Sequence, residues 1–117
     1  MEIRTTKYDE VEKELGHLKF DLLDKSATYQ GAYFKDKLVG VVSYVEHPKH
    51  IYLGHAYVVE EHRGKGIYKL LWEYRNMKVK ELGKPLIAHC NVSSLKHFLN
   101  NGFTLDKGLF MVVKEME

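Results

Sequence analysis

The stretch VVEEHRGKGIYKLLWEY, residues 58–74, does most to limit what this chain can fold into. Residues 50–59, HIYLGHAYVV, are rich in aromatic and β-branched side chains and predict a strand. Ile67, Leu70, Leu71, Tyr74 and Met77 then recur at the spacing of one helix face. A strand therefore passes straight into a helix through Arg63-Gly64-Lys65-Gly66. The first turn of such a helix offers N–H groups without intrahelical partners and the positive end of the helix dipole. Glycines let an anion approach that backbone, and the two cations add charge. From the residues alone, the turn is either an anion cradle or a connection whose glycines relieve strain. Neither G-x-G-x-x-G nor G-x-x-x-x-G-K-[ST] is present, since Ile67, Tyr68 and Lys69 follow the second glycine.

The flanking pattern supplies the rest of an α/β order. Glu2 to Thr5 predicts a short strand. Tyr8, Val11, Leu15, Leu18 and Leu22 predict one helix over 8–23, with Thr6 or Asp9 as its cap. ATYQGAYF and LVGVVSYVEH flank a polar KDK turn and predict an antiparallel hairpin, ended by Pro48. After the glycine turn, LGKP (82–85) stops the second helix. LIAHCN predicts a strand, Ser93 or Ser94 caps a short helix running through Leu99 to Gly102, and 103–116 closes as a hairpin or bent strand pair.

The chain has 117 residues, enough for one domain, 1–117, with one core. A net charge of +2, from 18 basic and 16 acidic residues, gives no concentrated basic face for nucleic acid. No apolar run has membrane-spanning length, and the start, MEIRTTKYDE, has no signal-peptide pattern. Cys90 is the single cysteine, so neither an internal disulfide nor a cysteine-based metal site forms. A reducing cytoplasm is the expected compartment. His47, His50 and His55 lack a fourth ligand at metal spacing, so no metal is expected.

Two motifs in this order resemble the GNAT acyltransferase superfamily. The acetyl-coenzyme A loop of that family, Arg or Gln, two residues, Gly, one residue, Gly or Ala, maps onto Arg63, Gly66 and Tyr68. Downstream, NVSSLKHFLNNGF, Asn91 to Phe103, is similar to the family's Asn-led helix ending in Gly-Phe. The resemblance covers about residues 38–113 by motif and the N-terminal third by topology only. It implies a mixed, mostly antiparallel sheet with helices on both faces, binding acetyl-CoA. It also implies that backbone N–H groups from Arg63 through Gly64, Lys65, Gly66 and Ile67 to Tyr68 take the pyrophosphate. Tyr57, Val58 and Val59 then offer main-chain hydrogen bonds to the pantetheine arm and the thioester carbonyl, where a donor stabilises the developing oxyanion. Asn91 holds the coenzyme from across the opening.

The departures from the family pattern fall at the chemistry. Tyr68 stands where the loop ends in Gly or Ala, so its ring must point away from the phosphates. Phe98 stands where many members carry a tyrosine acid for the leaving thiolate; the adjacent His97 is the candidate in its place, against a reading as a surface histidine. The acceptor amine must lose a proton before attack. By register Tyr52 holds the usual base position, although phenol is a poor base. Strand alternation places Tyr52, Gly54 and Ala56 on one face, with His55 and Tyr57 on the other, unless a bulge re-aims His55. His89 is a further candidate, and a water chain is the economical alternative.

The expected function is acetyl transfer from acetyl-CoA to an amine by direct attack on the thioester. One helix before the hairpin and a tight LDKG loop leave the acceptor side open. The acceptor is expected to be an amine on a small molecule or a protein, and the open side predicts a protein or peptide amine, or a site completed by a second copy in a homodimer. The alternative is an acyl-CoA sensor or interaction domain without turnover.

Overall fold

A computed structural model describes residues 1–19, 23–90, 92–106 and 111–115. Its elements follow the alternation of strand and helix patterns. They are β1 (Glu2–Thr6), α1 (Tyr8–Leu15), β2 (Thr28–Phe34), β3 (Lys37–Glu46), β4 (Ile51–Val58), α2 (Ile67–Lys80), β5 (Leu86–His89), α3 (Val92–Asn100), β6 (Thr104–Asp106) and β7 (Met111–Lys114). Short 3-10 turns span Gly16–Leu18 and Glu60–His62. The strands form one sheet in the order β1-β2-β3-β4-β5-β7-β6. Only β4 and β5 run parallel, because α2 carries the chain over the sheet between them. The expected mixed, mostly antiparallel sheet with helices on both faces is what forms.

Each face has its own apolar layer. Val11 and Leu15 of α1 bury against Tyr29, Tyr33, Leu38 and Val41. On the other face, Ile67 and Leu71 of α2 pack on Ala32, Val42 and Val58. Trp72 and Val79 of α2 pack with Ile51, Leu53, Leu86, Phe98, Phe103 and Val112. Cys90 packs against that last cluster, and Tyr29 and Tyr33 are packing residues.

All three helices differ from expectation, α3 in that it begins at Val92 and so holds Ser93 and Ser94 inside its first turn, not at its cap. The helix predicted over 8–23 ends at Leu15, where Gly16 caps it and the chain tightens into the 3-10 turn; Lys19, at φ 49°, closes that turn. About two turns already bury Val11 and Leu15, and Leu18 is 40% exposed, so nothing apolar pulls the helix further. Leu22 lies outside the described residues. Lys7, not Thr6 or Asp9, takes the N-cap position, and it makes no side-chain cap bond. Thr6 is committed to the sheet, its hydroxyl 2.9 Å from that of Tyr33.

In α2 the buried stripe is Ile67, Leu71, Trp72, Arg75 and Val79. Leu70 and Met77, predicted to face the core, are 44% and 53% exposed. The reason is the cation at position 75, which hides the true period from an apolar count.

The β2–β3 turn is a two-residue loop with Lys35 and Asp36 both at positive φ, 52° and 65°. This is the turn whose backbone twist matches a hairpin, and it favours Asn-Gly over Lys-Asp. Replacing Lys35-Asp36 by Asn-Gly should raise unfolding free energy by about 1 kcal/mol, read as a higher urea midpoint at unchanged slope.

Candidate functional site

The site is set by a break in the β3–β4 ladder. Val42 pairs with Ala56 and Tyr44 with Leu53, so two steps on β3 match three on β4. The extra residue makes a bulge at Gly54-His55 opposite Ser43. The Ser43 hydroxyl accepts the His55 amide N–H at 2.7 Å and lies 3.0 Å from the ring Nδ1 of His55. A Cβ at Gly54 would stand 2.6 Å from that hydroxyl, so the bulge needs glycine there. From the opposite face, Arg75 donates to the carbonyl of Ser43 at 3.0 Å and to that of His55 at 3.5 Å. Arg75 is 1% exposed, with its guanidinium 5.1 Å from the Trp72 ring centroid. Burial pushes its pKa down to about 10.

Beyond the bulge, β4 and β5 part. They pair only from Ile51–Leu86 to Leu53–Ala88, so the edge of β4 past Leu53 is open toward β5. The Val59 N–H donates to the Val39 carbonyl. In an antiparallel ladder the backbone groups of Val58 and Ala56 then face away from β3, into that opening. Arg63 Nε donates to the Val58 carbonyl at 2.8 Å, and its guanidinium lies 5.3 Å from the Tyr57 ring centroid. Arg63 is thereby tied to the strand edge instead of reaching out past the turn. A cleft of about 520 Å³ continues from Ala56–Val58 to Arg63, Gly64 and the first residues of α2.

The turn glycines are needed for their backbone. Gly64 and Gly66 sit at φ 76° and 81°, and a Cβ on either would meet nothing within 4 Å. Left-handed backbone at Gly66, the N-cap of α2, turns the chain so that α2 starts directly over the opening. Lys65 is exposed at this rim.

Tyr68 and His97 meet on the α2–α3 side. The Tyr68 ring lies 6.3 Å from Trp72 and 5.8 Å from His97, and His97 stands edge-on to Trp72 at 4.4 Å. Burial pushes the Tyr68 phenol up. Tyr68 thus packs on Trp72 and His97 while staying 39% exposed and lining the cleft at the turn. The surface reading of His97 is corrected: its ring is wedged among aromatics, with a buried Nε2 that has no hydrogen-bond partner among the described residues. Phe98 is 7% exposed and packs edge-on against Trp72 and Phe103.

Across the sheet lies a second cleft, of about 620 Å³, lined by Leu23–Lys25, Tyr52, Gly54, His55 and His89. The bulge corrects the predicted faces of β4. Tyr52 opposes Val45 and Tyr57 opposes Val41, so both face the α1 side; Ala56, opposite Val42, faces α2. His55 stacks on Tyr29 at 5.8 Å, also on the α1 side. Tyr29 in turn bonds the backbone of Asp24, accepting from its N–H at 2.9 Å and donating to its carbonyl at 3.1 Å, which holds the 23–25 wall over the cleft. Tyr52 and His89 meet there, hydroxyl to Nδ1 at 2.8 Å.

Asn91 and residues 107–110, which take in Lys107 and Gly108 of LDKG, lie outside the described residues. His47 and His50 stack on each other at 4.6 Å, and the described residues contain no metal-like cluster. Among the described residues no helix is long and apolar enough to cross a membrane. Sequence reasoning missed Arg75 and the Ser43–His55 lock. Their signals were an arginine in the i, i+4 series Ile67, Leu71, Arg75, Val79 and a serine inside the apolar run LVGVVSYV.

The family model described as acetyltransferase (GNAT) family matches residues 1–103. No curated protein matches the sequence. Among solved structures, the chain is similar to IAA acetyltransferase from Bacillus cereus ATCC 14579. They are 23% identical over 91% of this chain and 78% of that one, with a TM-score of 0.73. It is also similar to ribosomal-protein-alanine N-acetyltransferase from Brucella melitensis biovar Abortus 2308, at 22% identity, 92% and 96% coverage, and a TM-score of 0.71. PaiA N-acetyltransferase from Thermoplasma acidophilum, in complex with coenzyme A, matches at 18% identity, 92% and 67% coverage, and a TM-score of 0.64. At these identities the likeness concerns the fold.

Two outcomes follow from the geometry. The lowering of the Arg75 pKa by burial to about 10 corresponds to a desolvation cost on the order of 3 kcal/mol. The cost applies at neutral pH and lessens as pH rises above about 10, where the unfolded chain holds more protons. Arg75→Met removes that cost but leaves the bulge carbonyls without their donor, about 1–3 kcal/mol. Calorimetry should therefore show a nearly unchanged Tm, while coenzyme A binding weakens by about tenfold as the bulge relaxes. Gly66→Ala should fold but lose about 1–2 kcal/mol, since only the backbone is strained and no atom is struck. Chemical denaturation measures that loss.

Proposed function

This chain belongs to the GNAT acetyltransferase family, and we propose from its geometry that residues 1–117 form one domain that moves an acetyl group from acetyl-CoA to an amine. The observation that carries this reading is the continuity of the open β4 edge with the glycine turn. The N–H groups from Arg63 to Tyr68 would hold the pyrophosphate at the N-terminus of α2, with Lys65 adding charge at the rim. The backbone groups of Ala56 and Val58, flanked by Tyr57 and Val59, would take the amide-rich pantetheine arm. A thioester carbonyl laid on that edge gains its charge near the Val58 N–H, a preorganised donor. The residues present fit the group: main-chain donors and acceptors for the arm, and backbone N–H groups at a helix entrance for the anion.

The amine acceptor enters from the α1 side, through the cleft walled by Leu23–Lys25. That cleft opens to the surface, which favours an amine carried on a peptide or protein over an enclosed small molecule. A homodimer would complete the wall with a second copy. The burial of Phe98 favours one other reading, a sensor that binds acyl-CoA without turnover.

Thermal unfolding with and without acetyl-CoA, joined to a thiol-release assay over small amines and lysine peptides, separates these readings. The expected result is a stabilisation of about 2.7 kcal/mol at a hundredfold excess over Kd, with thiol released in the presence of amine. Stabilisation without release for every amine would make the domain a sensor. Absence of both would overturn coenzyme binding itself. Arg63→Ala should free the Val58 carbonyl and raise KM for acetyl-CoA, leaving the thermal midpoint in the absence of coenzyme within a few degrees.

A further inference from the structure

The bond between Tyr52 and His89 crosses the sheet at the point where β4 and β5 separate. Tyr52 is the second of the three paired positions on β4, and His89 follows the last paired position on β5. Their rings lie 5.5 Å apart at 61°, and the bond is solvent-facing, so it contributes little to folding. It stands at the apex of the opening, where the β4 edge that runs from the glycine turn ends, and on the same face as the amine cleft.

Among the described residues, the other ionisable side chains lining this cleft are His55, Asp24 and Lys25. His55 Nδ1 lies against the Ser43 hydroxyl. Asp24 accepts from the hydroxyl and the amide of Ser26, at 2.7 and 2.8 Å, and the hydroxyl bond foremost holds its carboxyl below the usual range. On the opposite side of the sheet, Phe98 and His97 sit inside the Trp72 cluster.

Resting on the acetyl-transfer reading, we infer that Tyr52 and His89 act as one proton-transfer pair, with Tyr52 touching the reacting atoms and His89 a positioning residue behind it. As the amine nitrogen bonds the acyl carbon, its proton passes to the Tyr52 oxygen while the Tyr52 hydroxyl proton passes to His89 Nδ1. Tyr52 stays neutral and His89 becomes imidazolium. As the C–S bond breaks with its electron pair on sulfur, Tyr52 gives its proton to the thiolate and His89 returns its own to Tyr52. One proton has moved from nitrogen to sulfur, and both side chains end as they began. The pair supplies the base that phenol alone does not and the acid that Phe98 does not.

The test uses the full chain, acetyl-CoA, and n-butylamine or a lysine peptide as acceptor. Tyr52→Phe and His89→Gln should each lower kcat by about 100-fold, with KM for acetyl-CoA and Tm little changed. The double variant should lose no more than about twofold beyond either single one, because the two act as a unit. Unaffected single variants, or losses that multiply, overturn the pair. Nitrogen-15 spectra give a readout independent of turnover. His89 should be the tautomer protonated at Nε2, accepting at Nδ1, and Tyr52→Phe should perturb it. Protonation at Nδ1 in the neutral ring overturns the pair. If no amine supports thiol release, the acetyl-transfer reading fails on its own, and the spectra still decide the hydrogen bond.

Discussion

A buried guanidinium holds the working part of this protein in shape. Arg75 projects from α2 through an apolar layer to the carbonyl of Ser43 and toward that of His55, at the one place where β3 and β4 lose register. An antiparallel ladder would otherwise keep its period, and β4 would keep its alternation from end to end. The extra residue at Gly54-His55 changes both. It bends β4 away from β5, and it turns His55 and every later side chain by one step. Leaving a charge in a dry layer is unfavourable, as the lowered pKa of Arg75 records, so the interaction serves geometry more than stability.

Both clefts are consequences of that bend. Among the described residues the β4 edge beyond Leu53 has no partner strand, and the N–H groups of Ala56 and Val58 face the opening while Arg63 holds the Val58 carbonyl. On the other face, Tyr29 links the bulge to the 23–25 wall by stacking on His55 and bonding Asp24. The coenzyme edge and the acceptor side therefore share one hinge point in the sheet. The glycine turn completes the arrangement, because left-handed backbone at Gly64 and Gly66 brings the N-terminus of α2 to the wide end of the opening.

Much of this was legible in the residues. The strand-turn-helix run through Arg63-Gly64-Lys65-Gly66 stands where the sequence places it, and so does the hairpin at Lys35-Asp36. Tyr68 packs against Trp72 and still lines the cleft at the turn. The errors have one kind of cause. Helix α1 was drawn too long because Leu18 and Leu22 keep the helical period although no surface awaits Leu18. Helix α2 was rotated because Arg75 occupies a core position while Leu70 and Met77 do not. The faces of β4 were misassigned because a period of two cannot register an inserted residue, and His97 was read at the surface because its aromatic neighbours come from another helix.

By itself, then, the sequence determined the order of elements, the glycine-rich helix entrance and the chemistry available to an anion there. These are local matters, fixed by side-chain period, by turn residues and by the unpaired N–H groups that every helix begins with. Only the tertiary structure decided where the strands part, which face Tyr52 and His55 take, and that Tyr52 meets His89 across 37 positions of chain. Beside the Ser43–His55 bonds, the contact that reaches the bulge from furthest away is that from Arg75 to the Ser43 carbonyl 32 residues earlier. No spacing within a single element encodes it, because its two ends lie on opposite sides of a packed layer.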